Sequence, residues 1–317
     1  MKERIIIGLA CLLCVWGCGP KKGESVTPER AFPAVEIPVM IEEPGARLSW
    51  LALHFWDRFT APDSLYFSDS LHINGVLAED VEKQMGIFAT VLEQNVSPTE
   101  GPQAVQRLFE RAEAFQKAHP SGNLFPEMTR LADKYFYDPN SPLRSEDLYL
   151  PYVQGLSTSS LISAAEKERY AWQARMCALN RPGTPATDFR FIDTAGRKRT
   201  LYGIRAELLL LIFGNPDCQA CKELQEALES REDLSAAIAS GELKVVDIYI
   251  DDDVEGWKQR VAEYPASWIN GYDPDFVIRT DLLYNVRALP SLYLLDANKT
   301  VLLKDCTPEQ FFAALGL

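Results

Sequence analysis

Two different periods of apolar residues divide the chain. From Arg47 to about Leu179, apolar side chains recur at three- and four-residue steps, the spacing that puts them on one side of an α-helix. Leu48, Leu51, Phe55 and Phe59 form one such stripe, which Trp50 and Trp56 widen. The stretches 81–92, 102–118, 124–137 and 161–179 read the same way. Segments rich in Asn, Pro, Ser and Gly at 95–102, 119–123 and 138–142 separate them. Residues 45–179 are therefore expected to form an all-α domain. The linker 180–187, with two prolines and a glycine, ends the last helix and makes a stiff, extended crossing.

Beyond the linker the period changes to an alternation of strands and helices. Residues 189–192 and 198–201 flank the turn Asp193-Thr194-Ala195-Gly196, a hairpin pattern. The run 208–213 is almost wholly aliphatic, as expected of a strand buried on both faces, and 243–250 reads as a second. Helices are expected over 218–230 and over 254–264, the latter with Trp257 and Val261 inward. A second hairpin joins 291–295 to 300–303, and 308–315 closes the chain as a helix with Phe311, Phe312 and Leu315 facing in. Residues 188–317 are expected to be an α/β domain.

The first residues follow neither pattern. Lys2 and Arg4 precede an apolar run of thirteen residues, 5–17, too short for the roughly 20 that span a bilayer. The run ends Val15-Trp16-Gly17-Cys18, which resembles a bacterial lipobox. That implies a signal peptide over 1–17, cleavage before Cys18 and acylation of its thiol. A Pro- and Lys-containing tether and an extended lead-in follow over 18–44. On this reading the chain is a lipoprotein of the cell envelope on the periplasmic side, held to a membrane through the lipid alone. A net charge of −13 over 317 residues argues against nucleic-acid partners, whose phosphates need clustered Lys and Arg.

Export changes the meaning of the cysteines. Of seven, Cys11, Cys14 and Cys18 belong to the leader and its anchor, leaving Cys177, Cys218, Cys221 and Cys306. Four thiols in about 300 residues do not make a disulfide scaffold. Two of them form Cys218-Gln219-Ala220-Cys221, directly after the aliphatic strand and the turn Gly214-Asn215-Pro216-Asp217. The first cysteine thus stands at a helix start, where unpaired N–H groups and the helix dipole stabilise a thiolate. A three-residue step brings the second sulfur beside it, so the pair can open and close as the disulfide Cys218–Cys221. Cys221 shares its helix face with Leu224, Ala227 and Leu228. Cys218 is therefore read as the nucleophile and Cys221 as the resolving thiol. Half of a zinc site is the rival reading, but residues 188–317 offer only Cys306 besides the pair and no histidine, so no metal is expected. A purely structural disulfide is the other rival.

The dipeptide Leu289-Pro290 directly precedes a predicted strand, a position where proline forgoes no ladder bond. CxxC at a strand-to-helix turn, followed some 70 residues later by a Pro-led hairpin and a last helix, is the pattern of the thioredoxin superfamily. Residues 188–317 resemble its ResA/TlpA-type branch of exported, membrane-tethered thiol–disulfide oxidoreductases. The resemblance implies that Pro290 is the cis-proline facing the cysteines and that Leu289 offers its backbone to a bound client, with Asn215 and Pro216 as further client contacts. It also implies protein thiol or disulfide clients, a membrane electron donor and no cofactor beyond the redox-active disulfide. Two positions depart from the branch. Asp217 stands where an aromatic residue usually precedes the first cysteine, and its carboxylate opposes the helix dipole. Ile212 stands where thioredoxin keeps a buried acid, and Glu223 and Glu226 read as solvated helix face.

In the helical half, Leu53-His54-Phe55-Trp56-Asp57, the stretch 63–70 and the junction 181–189 resemble the domain of unknown function 5106, which precedes redoxin-like domains in Bacteroidetes lipoproteins. The aromatic residues around Trp50 and Trp56 read as core, with a client groove as the alternative. His54 and Asp57 read as a hydrogen-bonded pair rather than a site. Cys177 and Cys306 read as inert thiols, with an interdomain disulfide as the alternative. The expected function is disulfide exchange, in the reducing direction. The competing expectation is a binding lipoprotein whose helical domain captures a partner while the second domain is passive or redox-gated.

Overall fold

The computed structural model describes residues 29–61, 66–95 and 99–316. The expected leader, Cys18 and the tether up to residue 28 lie outside the described residues. Among those described, no helix is long and apolar enough to cross a membrane.

The helical domain begins at α1 (Pro44–His54), whose proline fills the first position while the Glu43 carboxylate accepts hydrogen bonds from the Gly45 and Ala46 N–H groups. A two-stranded hairpin follows, β1 (His72–Ile73) and β2 (Val76–Leu77), which the helical period does not reveal. Its turn residues Asn74 and Gly75 both lie at positive φ, 47° and 79°, the geometry for which Asn-Gly is suited. Then come α2 (Ala78–Asn95), α3 (Glu100–Ala118) and α4 (Leu124–Ala132), the last running on into a π-helical turn over Asp133–Tyr137. Two further helices, α5 (Glu146–Thr158) and α6 (Ala164–Cys177), complete the domain.

The helix α5 is unmarked in the sequence pattern because Pro151 and Gly155 interrupt it. It forms nonetheless because one face buries Tyr149, Leu150, Tyr152, Val153 and Leu156. Gly155 is required there, since a Cβ on it would lie 2.3 Å from the Phe109 ring of α3. Trp56 is 2 % exposed and packs among Phe32, Phe55, Phe59 and Phe88 as core, whereas Trp50 is half-buried and stacks on His54.

In the second domain seven strands form one mixed sheet: β3 (Arg190–Asp193), β4 (Lys198–Thr200), β5 (Leu208–Gly214), β6 (Leu243–Tyr249), β7 (Ile269–Tyr272), β8 (Ser291–Asp296) and β9 (Val301–Cys306). Their order is β4-β3-β7-β6-β5-β8-β9, with β5, β6 and β7 parallel and the others antiparallel to their neighbours. The helices are α7 (Gln219–Glu229), α8 (Glu232–Ser240), α9 (Val254–Arg260), α10 (Val277–Thr280) and α11 (Pro308–Ala314). Of these, α8, α10 and strand β7 escape the sequence pattern, and the helix expected over 254–264 breaks at Val261 into a 3₁₀ turn, leaving Val261 half-buried. Alternate residues of β5 and β6 serve two cores. Leu209, Leu211, Phe213, Val246 and Ile248 face one side, while Leu210, Ile212, Leu243 and Val245 face α7, α8 and α11 on the other.

The linker is not a free crossing. Gly183 and Ala186 donate to the Val301 and Lys299 carbonyls, and Val301 donates to Thr184, so it runs antiparallel beside the start of β9.

Candidate active site

The strand β5 ends at Gly214, and the Asn215-Pro216-Asp217 turn delivers Cys218 to the N-cap of α7. Cys218 Sγ accepts a hydrogen bond from the Cys221 N–H at 3.2 Å, as a capping oxygen would. On its other side its thiol donates to the Leu289 carbonyl at 3.5 Å, and the peptide joining Leu289 to Pro290 is cis. Cys218 is partly exposed and Cys221 buried, and burial together with the neighbouring Cys218 sulfur pushes the Cys221 thiol well up. All four cysteines of the described residues are free thiols.

Cys177 and Cys306 do not pair. Cys177 belongs to the helical core, whereas Cys306 packs in the core under α7 and donates to the Leu292 carbonyl at 3.6 Å. Burial pushes each up to about 12, which suits inert thiols.

Asn215 and Pro216, expected as client contacts, brace the turn in the free chain. The Asn215 amide donates to Asp251 at 2.6 Å and its carbonyl oxygen accepts from the Asp217 N–H at 2.8 Å, while Pro216 is buried. Both also line a cavity of about 200 Å³ that reaches Cys221 and Tyr264. The Asp217 carboxylate does not stand bare beside the nucleophile, because Arg260 at the end of α9 bonds to it. Arg260 lies 43 residues away in sequence, and no local spacing announces the pair. Glu223 and Glu226 are exposed on α7. In the helical domain, His54 bonds Asp57 at 2.7 Å, and Asp57 also pairs with Arg107 at 2.7 Å and Arg111 at 3.2 Å, a structural hub.

The loop before Pro290 is anchored from the helical domain. Glu146, the first residue of α5, has no exposed side-chain surface and lies 2.8 Å from Arg287 and 2.7 Å from Lys304. Asn285 also donates to it. Arg287 pairs with Asp305 at 3.1 Å and stacks on Tyr137 of the helical domain. Asp305 is the extra residue of a bulge in β9, at φ 45°, which turns its carboxylate to the Ser291 hydroxyl at 2.8 Å. Residues on both sides of Leu289-Pro290 are thus held by one buried ionic cluster that both domains build.

One buried acid has no counterpart in the sequence reading. Asp247 of β6 is the register partner of Ile212 on β5, and by alternation with Val245 it faces α7. Gly214 leaves room for it, since a Cβ there would lie 3.0 Å from both carboxylate oxygens. Burial pushes Asp247 up to about 7. An unfolded aspartate titrates near ~3.9, so between those pH values the folded chain holds this proton more tightly than the unfolded chain does. Stability must then fall as pH rises through that window. The urea midpoint is expected to drop from pH 4.5 to pH 8 in the wild type more than in Asp247→Asn; parallel pH profiles would contradict this placement.

Strand, turn, helix and cis-proline loop in this arrangement place the chain in the thioredoxin-like class, joined to a helical N-terminal domain. It belongs to the family described as domain of unknown function (DUF5106), whose model matches residues 19–180, just over half of the chain. A thioredoxin-like protein from Bacteroides caccae, known from its crystal structure, is 34 % identical, with 90 % of this chain and 98 % of that one covered at a TM-score of 0.76. The C-terminal domain of an uncharacterized protein from Bacteroides fragilis is 43 % identical, covering 44 % of this chain and 99 % of its own at a TM-score of 0.42. The thioredoxin domain of a thiol-disulfide oxidoreductase from Bacteroides vulgatus is 18 % identical, covering 43 % of this chain and 96 % of its own at a TM-score of 0.38. No curated protein matches the chain.

Proposed function

We propose that this chain is an exported protein thiol–disulfide oxidoreductase that reduces client disulfides through Cys218 and Cys221. The observation that supports this most is the position of one sulfur. Cys218 caps a helix, is reachable from solvent, faces the Leu289 backbone beside Pro290 and has a buried second thiol one turn deeper. A client strand laid beside Leu289 brings its disulfide to Cys218. The Cys218 thiolate attacks one client sulfur and the other leaves as a thiolate. Cys221 then attacks Cys218, closing the Cys218–Cys221 disulfide and releasing the first client sulfur. Two electrons pass from the dithiol to the client, and a membrane electron donor restores them. The redox-active pair is the whole cofactor. Cys18 carries the lipid that keeps the protein at the periplasmic side of the cell envelope.

Cys221→Ser stops this sequence at its midpoint. With insulin as the disulfide substrate, the variant is expected to accumulate a covalent adduct on a non-reducing gel that dithiothreitol dissolves and that Cys218→Ser/Cys221→Ser lacks. No adduct, or one that persists in the double variant, counts against the reading. A wild-type reduction potential near thioredoxin's ~−270 mV fits a reductase, and one near ~−120 mV would reverse the direction of electron flow.

A further inference from the structure

The resolving thiol needs somewhere to send its proton. Cys221 is buried, attacks only as the thiolate, and has no buried carboxylate on its own helix: Glu223 is exposed, and Glu226, which lines the cavity beside Cys221, is exposed as well. The strand that leads to the cysteines offers none either, because Ile212 fills the position. Resting on the reading of Cys218 and Cys221 as a working pair, we propose that Asp247, supplied by the neighbouring strand β6, is the proton acceptor for Cys221.

Three observations place it there. Ile212, Asp247 and Asn270 are register partners in one row across β5, β6 and β7, on the sheet face that α7 covers with Cys221, Leu224 and Leu228. The last residue of β5 before the active-site turn is Gly214, so the carboxylate occupies space a side chain would fill, at the end of the strand nearest the sulfurs. Third, the row is built for a group that gains and loses a proton. No ion pair neutralises Asp247 among the described residues, burial is what perturbs it, and Asn270 one strand across holds a buried Oδ1 that accepts no hydrogen bond. The groups that sense Asp247 are Cys221 and the Tyr264 phenol, which also senses Cys218 and, more weakly, Arg260. Cys221 and Tyr264 also share the cavity of about 200 Å³, whose charged lining residues are Lys222, Glu226 and Glu263.

In the resolving step the Cys221 S–H proton passes to an Asp247 carboxylate oxygen. The Cys221 electron pair forms the bond to Cys218, and the Cys218–client bond breaks with its pair on the client sulfur. That client thiolate is the last base, and it takes a proton from protonated Asp247 or from solvent. The dithiol loses two electrons and the client disulfide gains them. A buried aspartate that titrates near neutrality is matched to this task.

The two steps separate with dithiobis-nitrobenzoate, which releases one coloured thiolate when Cys218 attacks and a second when Cys221 resolves. With reduced protein and one equivalent of reagent, Asp247→Asn is expected to leave the first phase within about two-fold and to slow the second about 10²-fold, the range of a lost general base. The wild-type second phase should rise with pH through an inflection near 7, and the variant should lack that inflection. Adding Ile212→Asp to Asp247→Asn returns an acid to the same row and should recover part of the second phase. An unchanged second phase in a folded Asp247→Asn protein overturns the assignment of Asp247, as does a wild-type second phase without that inflection. A wild type with no first phase would instead overturn the reading of Cys218 as nucleophile, so the two failures are distinct.

Discussion

Cys218→Ser is expected to reduce disulfide exchange by at least ~10³-fold, to the uncatalysed background, while leaving the fold intact. The reason lies in the two roles of one atom. As nucleophile, the sulfur is needed as a thiolate, and a serine hydroxyl at the same place is almost never ionised at neutral pH. As an N-cap, the sulfur accepts the Cys221 N–H at 3.2 Å, and a serine oxygen accepts such a bond better than sulfur does. Catalysis and helix initiation therefore respond in opposite directions. The measurement is the rate of insulin reduction beside the urea midpoint of the same sample. Residual exchange above about a tenth of wild type, in a protein whose midpoint is not lowered, would remove Cys218 from the chemistry. Cys306→Ser, by contrast, touches a thiol pushed up to about 12 inside the core and should leave the rate unchanged.

What the sequence reveals and what it hides follow from the range of the interactions. The aliphatic run that becomes β5, the turn after it and the cysteine pair at the start of α7 are local patterns, and a single strand and a single helix suffice to read them. The heptad-like stripe around Phe55 and Phe59 likewise identifies α1 and the turn that follows it. By contrast, α5 is held by tertiary packing, with Gly155 against Phe109 from a helix some 45 positions earlier, and its Pro151 disguises it locally. β7 reads Ile269-Asn270-Gly271-Tyr272, with Asn and Gly where a buried parallel strand normally carries aliphatics. Gly271 is nevertheless required, because a Cβ on it would lie 2.5 Å from the Phe191 ring.

The site divides in the same way. Cys218, Cys221 and Pro290 announce themselves by spacing and neighbours. Arg260 on Asp217 is a contact between elements, and Asp247 reaches the face that α7 covers only through strand pairing. For Asp247 one local signal existed, a lone acid inside Val245-Val246-Asp247-Ile248, since a carboxylate within a doubly buried strand is costly and calls for a reason. Ile212 and Asp247 occupy one row of the sheet from two different strands. The sheet supplies the row, and which strand fills it is decided by pairing rather than by distance from the cysteine. No comparable local sign marks the interdomain charges, which in the sequence are indistinguishable from solvated ones.

Those charges carry the second large effect. Glu146→Ala is expected to lower stability by about 3–5 kcal/mol, the cost of breaking a buried ion pair from one side. The carboxylate lies 2.8 Å from Arg287 and 2.7 Å from Lys304, with its own side chain fully buried and theirs 11 % and 2 % exposed. Removing it leaves two cations out of water, Arg287 with Asp305 and the Tyr137 carbonyl and Lys304 with the Cys177 and Leu179 carbonyls. Burial pushes the Glu146 carboxyl up while Lys304 and Arg287 pull it down, so the native site depends on both cations staying in place. Glu146→Gln separates charge from volume. It fills the same space, and it should retain at least half of the loss seen with alanine. The loss should also change little between low and high salt, because counter-ions screen buried pairs weakly. A glutamine variant as stable as wild type would assign the contact to packing instead. The same substitution reaches the active site, since Glu146 holds Asn285 and Arg287 on the segment that leads into Leu289 and Pro290. Exchange with a protein client should therefore slow in both variants while the reduction potential of the Cys218–Cys221 pair stays fixed, because on the proposed function the loop meets the client and the helix end sets the potential. A parallel shift of rate and potential would show that the helical domain acts on the sulfurs themselves.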